Sequence, residues 1–184
     1  DSPVLDLLES YTDRVMVWVE YGVQSLHDPT LELINRGHDS ATSLRAITRT
    51  RARGIQVCAH IILGLPGESA YHLHRTVDGL AAVGIDGIKP HLQYVSKDTE
   101  LAAMWQRGEY HCLTPDNYAD LLCDTLERIA PDTVVQRLTS DPHRQELLAP
   151  RWCLDKREVT RIIDQRIRER DVRQGSRYAV PSTG

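Results

Sequence analysis

Short apolar runs alternate with longer amphipathic stretches along the first half of the chain. The runs at residues 15–19, 55–63 and 85–94 predict strands, and the first of them is rich in β-branched side chains. Between them, apolar residues recur every three or four positions in stretches that begin near residues 28, 39 and 69, which predicts helices. The predicted order of elements is therefore β, α, α, β, α, β.

Individual residues set the expected ends of these elements. Glu20 is expected to end the first strand, and Pro90 predicts a strand end or a bulge, because proline cannot donate to a ladder. Asp28 is expected to cap the first helix, and Asp39 or Ser40 the second.

The connections between the three predicted strands are each long enough to hold a helix. That spacing is typical of parallel strands with helices outside them, as in α/β barrels. Three strands cannot close a barrel, and the chain begins at Asp1, without methionine, close to an apolar segment at residues 4–8. We therefore expect an α/β fold that is the C-terminal half of a barrel, with the remaining strands upstream.

The second half of the chain has a mostly helical pattern. Helices are predicted at residues 99–107, 114–129 and 155–170, with a short strand at 134–138. The expected units are a half barrel at residues 1–98, a helical C-terminal extension at 99–176 and a disordered tail at 177–184.

The composition describes a mildly acidic protein. Over 184 residues the formal net charge is −4 and the pI is about 6.1, which argues against a strongly basic nucleic-acid binder. No apolar run approaches the roughly 18 residues of a membrane span, and no signal peptide is visible. We therefore expect a cytoplasmic protein without a membrane partner.

The cysteines stand at positions 58, 112, 123 and 153 and form no CxxC pair. Free thiols are expected, two or more of them buried. A zinc site that combines them with His60, His91 or His111 stays open in three dimensions, although the spacing gives it no support.

Polar side chains follow the first predicted strand, at the edge where parallel α/β folds bind ligands. Glu20 and Gln24 offer a carboxylate and an amide, and Arg36 offers a planar cation suited to a carboxylate. Such a set could hold an amino-acid group and a ribose. The alternative is a salt bridge with a turn amide.

Two further segments follow the second and third strands. Gly64 and Gly67 would let the backbone approach a flat ring or a phosphate, although an ordinary strand-to-helix turn needs the same glycines. Lys89 and His91 lie two residues apart and share a strand face. Both orientations of this pair stay open, inward as candidates for contact with a substrate or outward as surface residues.

Four segments, in this order, resemble the radical S-adenosylmethionine (SAM) superfamily: Val-Glu-Tyr-Gly-Val-Gln-Ser at 19–25, Asn-Arg-Gly-His at 35–38, His-Ile-Ile-Leu-Gly-Leu-Pro-Gly-Glu at 60–68 and Gly-Ile-Lys-Pro-His at 87–91. The chain is most similar to an uncharacterised bacterial Fe–S oxidoreductase family. That family is related to the catalytic subunit of Elongator and to oxygen-independent coproporphyrinogen dehydrogenase. Residues 147–153 also resemble the family's C-terminal extension.

The resemblance implies a partial (β/α)6 TIM-like barrel and an oxidoreductase that binds SAM at a [4Fe–4S] cluster. The cofactor would be cleaved to a 5′-deoxyadenosyl radical, with electrons from a donor such as flavodoxin or ferredoxin. By position, Gln24 and Arg36 match SAM-contacting residues, and His60 matches a polar residue that faces the ribose. Leu63 and Gly64 match the segment beside the adenine, and Glu20 is a weaker match to a residue at the ribose. The resemblance names no catalytic side chain and no substrate.

The CxxxCxxC loop that holds the cluster is absent from this sequence. The leading hypothesis is therefore part of a radical SAM enzyme that is inactive by itself. The alternative is a non-catalytic module that binds a nucleotide or tRNA. The arginines after position 155 favour tRNA, but acidic residues interleave with them, which is typical of a salt-bridged surface.

We predict that this chain does not assemble a cluster, because its cysteines lack the required spacing. The measurement is reconstitution with iron and sulfide, followed by absorbance and iron analysis. A [4Fe–4S] spectrum near one cluster per chain would contradict the prediction.

Overall fold

A parallel sheet forms the first half of the computed structural model, which describes residues 2–179. The helices are α1 Ser2–Glu9, α2 Asp28–Leu33, α3 Ser40–Arg51, α4 Ala70–Ala82, α5 Glu100–Gln106, α6 Pro115–Arg128 and α7 Lys156–Glu169. The strands are β1 Trp18–Gln24, β2 Gln56–Leu63, β3 Gly87–Leu92, β4 Val95–Ser96, β5 Val134–Val135 and β6 Leu147–Ala149. A short 3-10 helix spans Arg151–Leu154.

The sheet has the strand order β1-β2-β3-β5, and all its pairings are parallel. One face of β2 packs against α3 and α4, where Val57 and Ile61 join Ile47, Val77 and Leu80 in a core without solvent exposure. Residues of β2 that point the other way include His60. The predicted α/β fold, with parallel strands and outer helices, is confirmed.

The first strand differs from its prediction. Pairing with β2 runs from Trp18 opposite Gln56 to Gln24 opposite Ile61, so Glu20 lies inside β1 and does not end it. The apolar side chain of Met16, by contrast, is 74% exposed and precedes the strand. Because one face of β1 is polar, apolar content alone marked the wrong end of the strand.

Pro90 lies within β3 at a position opposite Ile61, so the predicted strand end or bulge at this residue is wrong. Its missing N–H faces the side of β5. The Ile88 carbonyl on that side accepts from Gln136, and the Leu92 N–H donates to the Ser140 hydroxyl at 2.6 Å. The pairing of β5 with β3 involves only Gly87 and Ile88, the first two residues of β3. Pro90 therefore removes no ladder hydrogen bond.

The helix signals were more accurate than the strand signals. The Asp39 carboxylate accepts from the Thr42 N–H and caps α3, as predicted. The N-cap of α2 is His27 instead of Asp28, because the Asp28 carboxylate accepts from the Ser40 N–H at 2.8 Å and ties α2 to α3. The strand predicted at 134–138 is only two residues long, and α1 and the antiparallel β4–β6 pair were not predicted.

Helices α6 and α7 extend the core of the sheet. Tyr118, Leu122 and Ile163 belong to the same buried cluster as Val57 and Ile61. The division of the chain at residue 98 stays a prediction.

Ion pairs join α7 to α6 above this core. The Arg170 guanidinium, 25% exposed, donates to the carboxylates of Asp120, Asp124 and Glu127. Burial alone would raise the pKa of Asp124, but the hydrogen bonds from Arg170 and His74 outweigh it and lower that pKa. The charges of α7 are therefore partly used to hold it in place.

The end of the chain is described as far as residue 179. The Arg177 N–H donates to the Glu127 carbonyl at 2.7 Å. The remainder of the predicted disordered tail, residues 180–184, lies outside the described residues. Between residues 2 and 179, no helix is both long and apolar enough to cross a membrane.

We expect Arg170→Met to lower the free energy of unfolding by about 2 kcal/mol, because three partly buried carboxylates lose a shared cation. Arg168→Met, at an exposed position on the same helix, should change it by less than about 0.5 kcal/mol. Urea unfolding at pH 7 measures both values. Equal losses in the two variants would contradict this role of Arg170.

Candidate functional site

The carboxyl end of β1 brings Gln24 and Arg36 together at Gly22. The pairing of β1 with β2 shifts register between Gly22 and Gln24, and Gln24 has a φ of 67°, which turns its side chain out of the regular strand alternation. The Arg36 Nε and Nη2 groups donate to the Gly22 carbonyl at 3.1 and 2.5 Å.

Gly22 has no side chain, and this leaves room for both neighbours. A Cβ atom at this position would lie 2.8 Å from Gln24 Nε2 and 3.1 Å from Arg36 Nη2. Two residues that are twelve positions apart in sequence therefore share the space above one glycine.

A second polar group lies on the neighbouring strands. The register places Gly22, His60 and Lys89 opposite one another, and Glu20 lies two residues before Gly22 on the same face of the sheet. The Glu20 carboxylate accepts from Lys89 Nζ and contacts His60 Nε2, both at 2.6 Å. The hydrogen bond from Lys89, followed by that from His60, lowers the pKa of Glu20. The suggested Glu20–Arg36 salt bridge is replaced by these contacts.

Lys89 and His91 both lie on the sheet face opposite α3 and α4, the face that also carries Glu20 and His60. The rings of His60 and His91 are 5.2 Å apart. His91 Nε2 is buried and has no hydrogen-bond partner among the described residues. Burial lowers the pKa of His91 to about 4, so its imidazole is neutral at pH 7. Of the two orientations left open by the sequence, the inward one is observed.

A cavity of about 450 Å³ opens at this edge of the sheet, between the strand ends and the start of α5. Its walls are formed by Gln24, His60, Ile62, His91, Leu92, Gln93, Tyr94, Ser96, Thr99 and Leu101. The sequence analysis named three of these residues. Gln93 and Tyr94 could have been found, because they directly follow β3. Ser96 belongs to the unpredicted β4, and Thr99 is the N-cap of α5.

The turn after β2 has the φ > 0 conformation that its glycines allow, with 88° at Gly64 and 77° at Gly67. The Gly64 carbonyl accepts from the Tyr110 hydroxyl at 2.8 Å. The Leu113 side chain lies where a Cβ of Gly64 would be. Leu63 is buried and its carbonyl accepts from the Gln93 N–H, whereas Gly64 is partly exposed.

The side chains at this edge fit the chemistry of SAM. A guanidinium and an amide can meet an amino-acid carboxylate, and an imidazole can meet a ribose hydroxyl. The Gln24 and Arg36 side chains that converge over Gly22 and the unpartnered His91 Nε2 are further marks of a site built for a ligand.

The cysteines do not fit a [4Fe–4S] cluster. Cys58, Cys123 and Cys153 are buried, and burial raises the pKa of each thiol to about 11, whereas cluster ligands are thiolates. Within residues 2–179, no group of three or more His, Cys, Asp or Glu side chains could hold a metal ion. The cluster that the resemblance implies therefore has no ligand set among the described residues.

Comparison with known proteins gave consistent relatives. The chain is 37% identical over 176 residues to the uncharacterized protein MJ0486 of Methanocaldococcus jannaschii, which covers 95% of this chain and 55% of that protein. It is 32% identical over 95 residues to a tRNA uridine(34) acetyltransferase of Methanocaldococcus infernus, over 50% of this chain and 18% of the relative. The chain thus spans little more than half of MJ0486.

The fold also matches a solved structure, the archaeal Methanocaldococcus infernus Elp3 with an N-terminal deletion. The TM-score is 0.76 at 19% sequence identity, over 92% of this chain and 40% of the Elp3 chain, so the likeness shows the fold. Two family models match in sequence: "Radical SAM superfamily" over residues 2–80 and "Radical_SAM C-terminal domain" over residues 85–169. Together they span most of the chain, which therefore belongs to the radical SAM superfamily.

Proposed function

We propose that this chain forms the SAM-binding edge and part of the substrate-facing wall of a radical SAM enzyme. The observation that carries the proposal is the convergence of Gln24 and Arg36 above Gly22, at the carboxyl end of a parallel strand. Ligands of open and barrel α/β folds bind at this edge.

Arg36 is the proposed partner of the methionine carboxylate. Its Nε and Nη2 groups are held by the Gly22 carbonyl, and its Nη1 group has no hydrogen bond among the described residues. The guanidinium is thus fixed in orientation and retains a donor for an anion. Gln24 is the second proposed polar contact of the amino-acid group.

The ribose and the adenine are proposed to lie along the ends of β1 and β2. His60 faces the ribose, oriented by Glu20, and the adenine packs beside the backbone of Leu63 and Gly64. Bound SAM would supply hydrogen-abstracting chemistry that amino-acid side chains lack, and the protein would position it and exclude water. The cysteines that hold the cluster are proposed to lie outside this sequence.

Lys89 and His91 are the proposed contacts to the substrate. Lys89 is paired with Glu20, and His91 is neutral at pH 7, so the wall they form presents little net charge. An electron donor such as flavodoxin or ferredoxin is part of the same proposal. The substrate is proposed to be tRNA or a small molecule, because one relative is a tRNA uridine(34) acetyltransferase.

A tRNA-binding role for α7 receives little support from its contacts. Arg166 donates to Asp116 and Asp120, and Arg170 to three carboxylates of α6. Arginines that are engaged in this way have fewer donors left for phosphates. The α7 surface is therefore a weaker candidate for tRNA than the edge at Gln24 and His91.

Gly22→Ala is expected to weaken SAM binding at least about 10-fold, because the new methyl group displaces the ends of Gln24 and Arg36. Both displaced atoms are at the ends of flexible side chains, so the free energy of unfolding should change by less than about 1 kcal/mol. Isothermal titration of the 184-residue chain with SAM, beside urea unfolding, measures the two effects.

Arg157→Met, at an exposed position on α7, is the control variant outside the proposed site. SAM affinity that is equal in the wild type, Gly22→Ala and Arg157→Met would contradict the proposed site. Wild-type binding of adenosine monophosphate as tight as that of SAM would favour the nucleotide-binding module instead.

The protonation of His91 gives a second prediction. As pH falls through the ordinary histidine pKa of 6.5, the unfolded chain gains a proton, but the folded chain does not until about pH 4. The free energy of unfolding should therefore fall by about 2 kcal/mol between pH 7 and 4.5 on account of this residue. In His91→Gln this fall in the free energy of unfolding should be absent. Urea unfolding of the wild type and the variant across the pH range measures the difference. Parallel profiles would show that His91 is not held neutral.

A further inference from the structure

Two residues that follow α5, Tyr110 and Leu113, contact the turn between β2 and α4. Within the sheet, the Leu63 carbonyl accepts from the Gln93 N–H at 2.9 Å, which is the last bond between β2 and the segment after β3. Gly64 is the first residue beyond that bond. Its carbonyl accepts from the Tyr110 hydroxyl, which is 46 positions away in sequence.

Tyr110 is itself fixed by a separate small core. It is 5% exposed and packs with Val95, Ala102 and Ala149, which bring together β4, α5 and β6. The position of its hydroxyl is therefore set by the extension and not by the turn it contacts.

Leu113 provides a second contact to the same glycine. Its Cγ and Cδ1 atoms lie 2.9 Å from the position that a Cβ of Gly64 would take, so the leucine fits only against a glycine. The Leu113 carbonyl accepts from Trp152 Nε1 at 3.0 Å, and the Trp152 ring lies 5.7 Å from that of Tyr118. A chain of contacts thus runs from the 3-10 helix through Leu113 to Gly64.

We propose that Tyr110 and Leu113 are positioning residues. They fix the position of the Gly64 backbone at the end of β2 and thereby set the affinity for the adenosyl group of SAM. The inference rests on the proposed function, which puts the adenine beside Leu63 and Gly64. Neither side chain needs to touch the ligand, because each acts through the turn. The extension then contributes to the cofactor site.

Tyr110→Phe tests the inference, and Tyr118→Phe is its matched control. Both tyrosines are buried and donate to a backbone carbonyl, Tyr110 to Gly64 at 2.8 Å and Tyr118 to Leu138 at 3.1 Å. The probes are SAM and 5′-methylthioadenosine, which keeps the adenosine but lacks the amino-acid group. Amide hydrogen exchange at residues 64–68 reports on the turn without a ligand.

Tyr110→Phe is expected to lower the affinity for both probes by the same factor, about 3- to 10-fold. It should also speed amide hydrogen exchange at residues 64–68. Tyr118→Phe should leave both affinities within about 2-fold of the wild type and the exchange of the turn unchanged. Arg36→Met should weaken SAM but not 5′-methylthioadenosine, which separates the two ends of the cofactor.

Unchanged affinities in Tyr110→Phe, or equal losses in Tyr118→Phe, would overturn the positioning role, since the effect would then be absent or general. Slower or unaltered exchange at the turn in Tyr110→Phe would overturn it as well. A wild-type chain that binds neither probe would overturn the proposed function, and the positioning role with it, a result that differs from the other two.

Discussion

Parallel pairing of β2 with β1 and β3 is the constraint on which the rest of the structure depends. It aligns three distant segments so that the Glu20 carboxylate of β1 lies within hydrogen-bond reach of His60 in β2 and Lys89 in β3. The alternation of side chains along each strand then separates two environments. One face of β2 buries Ile61 against the helices, while the other carries the polar residues of the candidate site.

The part of the chain that follows β4 does more than cover the sheet. Its helices share the apolar core of β2, and the ion pairs of Arg170 fasten α7 to α6. It also contacts Gly64, in the turn after β2, through Tyr110 and Leu113. The proposed positioning role of these two residues would couple stability to ligand binding through the same packed segments.

The sequence predicted the elements whose signals are local. Asp39 caps α3 where expected, and the polar residues after the strands identified Gln24 and Arg36 as neighbours at one edge. Long-range pairing decided the remainder. Glu20 lies inside a strand because β2 continues beside it, and the two-residue β4 carries no pattern of its own. The register of β1, β2 and β3, which brings Glu20 to Lys89, likewise cannot be predicted from the local sequence.

Pro90 has a consequence for the neighbouring strand and not only for its own. A strand can lengthen beside another only where that partner offers donors, and the partner offers none at Pro90 on the side of β5. Beyond the Gln136 N–H, which donates to the Ile88 carbonyl, the fourth strand meets Pro90, and the Ser140 hydroxyl serves as the acceptor at Leu92. The segment after β5 therefore returns to the end of β3 through a side chain, at the contact between Ser140 and Leu92, and not through a continuous backbone ladder.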